Sequence, residues 1–368
     1  MRPAFDSPGQ AAAFALLLLL LLTAPWLAGK TLLPPRQQAY AAPGWTWGPY
    51  PWIERQIFNE TNAIDIAFIG SSHLMWGIDT PYVQRQLDER LGHPSVVRSI
   101  CWGGAGFDAL YFITRDLLAH RHVKTLVFYD ESSSVYINPK APNWFRFGDD
   151  AWALAGLPAW YKSIYYFGAT LEMPRNILEL MIPNLPEDTN ARIPGYFETH
   201  YHAENPEHRL GSASGRTGFD LMLGVKNPFV PFAPKTAVTP ADLCRYTPAS
   251  GSNFTFAGLT MPPSQVYFAR QFGLLTKQHG CQLVLLHLPV RAEKYPRVIA
   301  ETTYWPALLQ TDVAMMGIPW ERLFQDLSPQ QVDELFGDPG HLNQNGQEYF
   351  TPLITPELLQ IYESRTTH

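Results

Sequence analysis

Two short segments near opposite ends of the chain carry residue types that can perform acyl transfer together. The first is Gly70-Ser71-Ser72-His73, in which serine hydroxyls directly follow the apolar run 65–69. The second is Asp338-Pro339-Gly340-His341, in which a carboxylate and an imidazole stand on either side of a Pro-Gly turn. A carboxylate can hold a histidine in one tautomer while the imidazole takes a proton from a serine that attacks an acyl carbonyl. The residue types would suit a serine acyl-transfer site in which Asp338 orients His341, if the two segments meet in the folded chain.

Each segment also has a purely structural interpretation. Gly-Ser-Ser turns commonly satisfy backbone groups without any chemistry. The turn before His341 can instead cap the last helix, with Asn343 or Asn345 as the N-cap residue. The chemical interpretation requires that folding bring both segments to the same edge of one sheet.

Short apolar strands alternate with helical segments around both motifs. Asp65–Gly70 is an apolar run that ends in glycine, which is typical of a buried parallel strand. Thr80-Pro81 predicts a helix start, with Thr80 as the N-cap and the proline at the first helical position. The alternation predicts an α/β fold with a parallel sheet that is covered on both faces and binds ligands at the carboxyl ends of its strands. The predicted strands are 65–70, 95–101, 125–129, 281–288 and a short one near 318–320; the predicted helices are 80–91, 108–120, 264–279 and one beginning near 345.

A long aromatic-rich region interrupts this alternation. Residues 139–262 are rich in Trp, Tyr, Phe, Pro and His, and a segment of this length inside an α/β domain predicts an insertion or cap. Trp144 and Trp160 are candidates for stacking on sugar rings, although such residues form the core of a cap at least as often. The predicted organisation is a signal anchor at 1–30, a linker at 31–61, an α/β domain at 62–138 and 263–368, and the insertion at 139–262.

The N-terminal segment predicts export and attachment to a membrane. Residues 11–28 are apolar and uncharged, and as a helix they would span about 27 Å, close to the ~30 Å hydrocarbon core. We predict an uncleaved, single-pass transmembrane helix, with a cleaved signal peptide and a buried core helix as the alternatives. Everything after the anchor is then expected on the extracytoplasmic, periplasmic side of the cell membrane.

Composition and charge exclude several classes of protein. The 368 residues are 46% hydrophobic and only 16% charged, which predicts a globular chain with a substantial core. The net charge of −6 and the absence of a basic run argue against nucleic acid as a partner.

The three cysteines match no zinc motif. His200, His202, Glu204 and His208 include metal-ligand residue types, but their irregular spacing in a predicted loop favours solvated side chains. We therefore predict neither a metal nor a cofactor.

The two motifs together resemble the first and last sequence blocks of the SGNH, or GDSL-like, hydrolase superfamily. The resemblance covers about residues 62–138 and 264–360 and implies a flavodoxin-like three-layer α/β/α fold with a Ser-His-Asp acyl-transfer site. Where the family has Gly-Asp-Ser, this chain has Gly70-Ser71-Ser72, so the resemblance assigns the nucleophile to Ser72. It likewise implies that His341 is the base and Asp338 its orienting carboxylate.

The oxyanion hole is also implied by the resemblance. The turn after the second predicted strand, Trp102–Gly106, has the Gly-x-x-Gly spacing of the family's second block, which assigns an oxyanion role to Gly103. The third block of the family, Gly-x-Asn-Asp, is replaced by Tyr129-Asp130-Glu131-Ser132, with Ser132 at the position of the asparagine. The implied donors are the N–H groups of Ser72 and Gly103 and the hydroxyl of Ser132. Because this asparagine is missing, the resemblance does not distinguish between a hydrolase, a transferase and an inactive relative.

The Gly-Ser-Ser form resembles a membrane-anchored branch of the family that works on cell-envelope polymers. That branch includes the alginate O-acetylation proteins and the protein that helps D-alanylate teichoic acid. The resemblance implies an acyltransferase or esterase, with O-acetyl transfer to an envelope polysaccharide as the expected reaction. The alternative is a non-catalytic envelope assembly protein that binds polymer or a membrane-bound O-acyltransferase.

His73 and His287 are candidate residues of the substrate pocket. The alternative for His73 is a side chain that faces solvent, and the alternative for His287 is a hydrogen-bonded histidine of the core.

Overall fold

The computed structural model divides the chain into two compact units. The first contains residues 1–43 and 139–185, and the second contains residues 44–138 and 186–368. The structure describes residues 5–28, 36–40, 50–102, 104, 106–129, 141, 145, 150, 152–181, 261–291, 304–318, 320–336 and 340–366.

A parallel sheet forms the centre of the second unit. Its five strands within the described residues lie in the order β2-β1-β3-β4-β5, and every neighbouring pair is parallel. They are β1 (Ile64–Gly70), β2 (Val97–Cys101), β3 (Val123–Tyr129), β4 (Gln282–Leu286) and β5 (Val313–Met316). All seven residues of β1 are buried whichever face they point to, so both faces of the sheet are covered. The predicted α/β fold with a covered parallel sheet is confirmed.

The helices of this unit fall into two packed groups. One group is α3 (Ser72–Gly77), α4 (Thr80–Leu91) and the C-terminal helix α11 (Gln344–Thr366); the other is α5 (Phe107–His120), α7 (Pro263–Gln278) and α8 (Tyr304–Leu309). The unit also contains α2 (Tyr50–Glu54), which continues as a π-helical segment over Arg55–Asn59, and the short helices α9 (Trp320–Leu323) and α10 (Pro329–Asp333).

Two local predictions are corrected by the structure. The fifth strand is β5 and not the segment near 318–320, because Met315 and Met316 pair with β4, whereas Pro319 has no N–H to donate to a ladder. Helix α4 is capped by Asp79 and not by Thr80, since the Asp79 carboxylate accepts a hydrogen bond from the Tyr82 N–H at 3.0 Å. The sequence alone does not show which short apolar run is a strand or which of two adjacent polar residues caps a helix. The strand pairing and the capping hydrogen bond seen in the structure decide these points.

The first unit contains α1 (Pro8–Ala28) and α6 (Ala159–Met181), with short 3-10 turns at Arg36–Ala39 and Trp152–Leu154. Arg36 donates to both carboxylate oxygens of the buried Asp150, at 3.1 and 3.0 Å. In the described part of the chain, no helix has the length and apolarity that crossing a membrane requires.

Candidate active site

The carboxyl end of β1 positions Ser72. From β1 the chain adds strands first on one side of the sheet, at β2, and then on the other side, beginning with β3. Open parallel sheets bind ligands at the carboxyl ends of the strands where the order switches in this way. The strand ends at Gly70, and Ser72 is the first residue of α3. A Cβ on Gly70 would lie 3.2 Å from Cδ1 of Tyr129, so glycine lets that ring pack closely against the strand end.

The start of the C-terminal helix positions His341. The Asn343 side chain accepts the Gly346 N–H at 3.1 Å, so Asn343 is the N-cap of α11, whereas the Asn345 side chain donates to the Glu334 carbonyl. Gly346 allows a close approach of the preceding chain, since a Cβ there would lie 2.2 Å from the Leu335 carbonyl oxygen. These contacts hold His341 at the amino-terminal end of α11.

Helix α11 is in turn tied to the loop that follows α3. The Asp79 N–H donates to the Thr351 hydroxyl at 2.9 Å, and the Gln347 amide donates to the Ile78 carbonyl at 3.1 Å. All four groups are buried in residues that are at most 4% exposed. The amino-terminal part of α11 is thereby held against the element that carries Ser72.

The structure brings Ser72 and His341 together. Ser72 Oγ lies 2.8 Å from His341 Nε2, although the two residues are 269 positions apart in sequence. This distance is within the ~2.6–3.2 Å over which a base can take a proton from a nucleophile. Asp338 lies outside the described residues, so its orienting role stays a prediction.

His73 stacks on His341. The two ring centroids are 4.4 Å apart, with an angle of 16° between the ring planes. Tyr129, the last residue of β3, places its hydroxyl 3.4 Å from His73 Nδ1. The predicted pocket residue His73 therefore contacts the proposed base directly, through its ring face.

The Tyr129 hydroxyl also forms a hydrogen bond with the Ser71 hydroxyl. The two hydroxyl oxygens are 2.5 Å apart, and although Ser71 stands at the N-cap position of α3, its side chain makes no capping hydrogen bond. The first N–H groups of a helix have no intrahelical acceptor. The N–H groups at the start of α3, beginning with Ser72, therefore suit the stabilisation of an oxyanion.

Sequence reasoning missed Tyr129 as a site residue. The available signal was its position as the final residue of a strand next to β1, at the edge where ligands bind. Its contacts with Ser71, His73 and Gly70 depend on the pairing of β1 with β3, which a single sequence does not display.

Other predicted site residues are distributed as follows. His287 directly follows β4, is 6% exposed, and donates its backbone N–H to the Met316 carbonyl at 2.8 Å. Trp160 lies on α6 of the first unit and is 74% exposed. Their predicted substrate-binding roles stay predictions. Gly103, Ser132 and Trp144 lie outside the described residues, as do His200, His202, Glu204 and His208.

The Cys101 thiol, on the strand paired with β1, is unsuited to nucleophilic chemistry. Cys101 ends β2 and is 1% exposed, and burial raises the pKa of its thiol to about 12. A thiol with this pKa is protonated at neutral pH, and the thiolate is the reactive form. Ser72 is therefore the better candidate for the nucleophile.

A carboxylate with a lowered pKa lies at the opposite edge of the sheet from Ser72. Asp65 of β1 contacts Lys124 Nζ at 2.7 Å and the Tyr362 hydroxyl at 2.8 Å. Burial raises the pKa of the Asp65 carboxyl, but hydrogen bonds from Lys124, the Val96 N–H and Tyr362 outweigh burial and lower it overall. This cluster joins β1, β3 and α11, and its role is structural.

Comparison with known proteins adds no family assignment to this geometry. A scan against protein-family models matched none of them to the chain, and a search of curated proteins found no match.

Proposed function

We propose that this protein is an SGNH-like serine acyltransferase or esterase with a flavodoxin-like fold. The observation that carries the proposal is the 2.8 Å contact between Ser72 Oγ and His341 Nε2 at the carboxyl edge of a parallel sheet. The strand order β2-β1-β3-β4-β5 supports the fold assignment, because it is the order of flavodoxin-like sheets. The expected reaction is O-acetyl transfer to a cell-envelope polysaccharide.

The geometry suggests the following sequence of proton transfers. His341 Nε2 takes the proton of Ser72 as Oγ bonds to the acyl carbonyl carbon, and helix N–H groups stabilise the resulting oxyanion. The protonated His341 then gives that proton to the leaving oxygen, and the carbon–oxygen bond to the donor breaks. In the second half, His341 takes a proton from a sugar hydroxyl or water as its oxygen attacks the acyl carbonyl carbon, and His341 then returns that proton to Ser72 Oγ as the acyl–Oγ bond breaks. The proposed Asp338 carboxylate would stabilise the imidazolium form of His341.

A second candidate is a non-catalytic envelope assembly protein that binds polymer or a membrane-bound O-acyltransferase. It is favoured by one sequence observation, namely that the segment after β3, Asp130-Glu131-Ser132, lacks the family's oxyanion asparagine. Loss of one such donor typically reduces turnover by about 10²–10³.

The proposed location is the extracytoplasmic face of the cell membrane. Its support is the uncharged apolar run 11–28, on which Phe14 and the leucines at 16–20 are exposed. A membrane-anchored protein of this kind would act on envelope polymer close to where the polymer is made or exported.

A membrane-impermeant fluorophosphonate carrying biotin tests both activity and location. Applied to intact cells that express the full chain, it is expected to label the protein at Ser72, with the adduct mapped by peptide mass spectrometry. Ser72→Ala is expected to abolish labelling, and His341→Ala to slow it by about 10²–10⁴ because the base is lost. Ser364→Ala, a serine-to-alanine change near the end of α11, is the matched control and should label normally.

Two results would overturn the proposal. An absence of adduct on folded, purified wild-type protein would exclude an activated serine and favour the assembly role. Undiminished labelling of Ser72→Ala would show that another residue is the nucleophile. Thermal unfolding of each variant establishes that it is folded before labelling is compared.

A further inference from the structure

One tyrosine hydroxyl contacts the side chains on both sides of the proposed nucleophile. The hydroxyl of Tyr129 lies 2.5 Å from Ser71 Oγ and 3.4 Å from His73 Nδ1. Ser71 and His73 directly precede and follow Ser72 in the chain. The Tyr129 ring also packs closely against the strand end at Gly70. A side chain from β3 therefore contacts the segment that carries Ser72 at three positions.

The hydrogen bond of Ser71 differs from the usual one for a serine at this place in a helix. Ser71 stands at the N-cap position of α3, where a serine side chain normally accepts a hydrogen bond from an N–H of the first helical turn. Ser71 makes no such bond, and its hydroxyl, in a residue that is 2% exposed, pairs with Tyr129 instead. Departures from local preference of this kind are expected at functional sites.

The contacts of Tyr129 affect both partners of the proposed proton transfer. The direction of the Ser72 side chain depends on the backbone around it, and Tyr129 contacts the residue on each side. His73 in turn stacks on His341, with ring centroids 4.4 Å apart. Because a misplacement of about 1 Å can reduce a rate about 10²-fold, small displacements of this segment would affect the reaction.

We propose that Tyr129 is a positioning residue, whose hydroxyl holds Ser72 Oγ within reach of His341 Nε2 through its bond to Ser71. The proposal rests on the proposed function, since the position of Ser72 affects a rate only if Ser72 reacts. The contact with Ser71 is the shorter of the two hydroxyl contacts, so Ser71 is the residue through which Tyr129 mainly acts.

Tyr129→Phe tests the proposal because it removes the hydroxyl and keeps the ring that packs against Gly70. Labelling of Ser72 by the fluorophosphonate is followed over a range of reagent concentrations, which separates the maximal rate from the half-saturating concentration. The maximal rate is expected to fall about two- to tenfold, as for the loss of one hydrogen bond. The half-saturating concentration is expected to stay within about twofold, because only positioning is lost.

Ser71→Ala removes the other hydroxyl of the same bond. It is expected to slow labelling to the same extent as Tyr129→Phe. The double variant is expected to label within about twofold of the slower single variant, because both changes delete one interaction. Fully additive losses would show that the two hydroxyls act separately and would overturn the proposal.

Tyr349→Phe is the matched control. Tyr349 is 7% exposed, as is Tyr129, and its hydroxyl donates to the Leu323 carbonyl at 2.7 Å. The change therefore removes an equally buried tyrosine hydroxyl from α11, and labelling at the wild-type rate is expected. Urea unfolding establishes that every variant is folded under the labelling conditions. An equal loss of rate in Tyr349→Phe would assign the effect to general destabilisation and overturn the proposal.

Hydrogen exchange of the backbone provides a readout that does not need a reactive serine. The amides of residues 71–75 are expected to exchange faster in Tyr129→Phe than in the wild type, and at the wild-type rate in Tyr349→Phe. Unchanged exchange, or unchanged labelling, in Tyr129→Phe would overturn the proposal. If wild-type Ser72 is not labelled but exchange rises as expected, the proposed function is contradicted, whereas the positioning of this segment by Tyr129 is supported.

Discussion

At the scale of single residues, the site is a stack of two imidazoles beside a serine. His341 contacts Ser72 through Nε2 and His73 through its ring face, so that His73 limits the orientations available to the proposed base. Aromatic pairs of this kind contribute about 0.5–1.5 kcal/mol beyond the area they bury. We interpret His73 as a positioning residue that acts through His341.

Substitution of His73 is expected to slow the labelling of Ser72 without abolishing it. His73→Ala removes the stacked ring, and a loss of about 0.5–1.5 kcal/mol corresponds to a two- to tenfold lower rate. His73→Phe keeps an aromatic face and is expected to restore most of the rate, as measured by the second-order rate constant with the fluorophosphonate. If His73→Phe is as slow as His73→Ala, a ring nitrogen and not stacking is what matters.

At the scale of elements, the site depends on how α11 is fastened to the loop between α3 and α4. The buried N–H of Asp79 uses the Thr351 hydroxyl as its acceptor, and the neighbouring Ile78 carbonyl uses the Gln347 amide. These bonds cross between segments about 270 residues apart and hold the start of α11 near Ser72.

Thr351→Val is expected to destabilise the protein more than Thr355→Val. The first change removes the hydroxyl that accepts the hydrogen bond of the buried Asp79 N–H, which costs about 1–3 kcal/mol. Thr355 is also buried, but its hydroxyl donates only within its own helix, to the Thr351 carbonyl at 2.7 Å, so its loss should cost less. Urea unfolding measures the free energy of unfolding of both variants. Equal decreases would contradict the importance of the hydrogen bond between Asp79 and Thr351.

At the scale of the whole molecule, one carboxylate joins the start of the sheet to the end of the chain. Asp65 on β1 binds Lys124 of β3, the Val96 N–H before β2, and Tyr362 near the end of α11. These partners span most of the second unit, so this cluster contributes to global stability and not to the chemistry at the opposite edge.

The stabilisation by Asp65 is expected to depend on pH. Because the folded-state pKa is lowered from 3.8, the contribution is complete above about pH 3.8 and is lost as the pH falls through the folded value. Asp65→Asn should therefore cost about 1.5–3 kcal/mol near pH 7, and its difference from the wild type should shrink below about pH 3.8.

Asp333→Asn provides the matched control for this measurement. Its ion pair with Arg291 is exposed on both sides, and such pairs contribute about 0–1 kcal/mol. Denaturant unfolding at several pH values checks both variants. A cost for Asp65→Asn that stays constant from pH 7 to pH 3 would show that the charge of Asp65 is not what stabilises the fold.

Local pattern was sufficient for much of the architecture. The apolar run before Gly70 predicted β1, Asn343 was one of two predicted caps for the last helix, and the strand–helix alternation predicted the parallel sheet. These features depend on side chains within a few positions of each other, so their physical causes are present in the sequence itself. Around β5 the pattern predicted a strand near 318–320, whereas the pairing with β4 places the strand at Val313–Met316.

The order of residues along the chain is enough to predict which side chains are available for chemistry and which strands and helices hold them. The contacts between those side chains become visible only in the folded chain: Ser72 Oγ meets His341 Nε2, His73 stacks on that imidazole, and the Tyr129 hydroxyl contacts the Ser71 hydroxyl. The physical reason is that these contacts follow from strand order and from the docking of α11, which join segments distant in sequence by burial and hydrogen bonding.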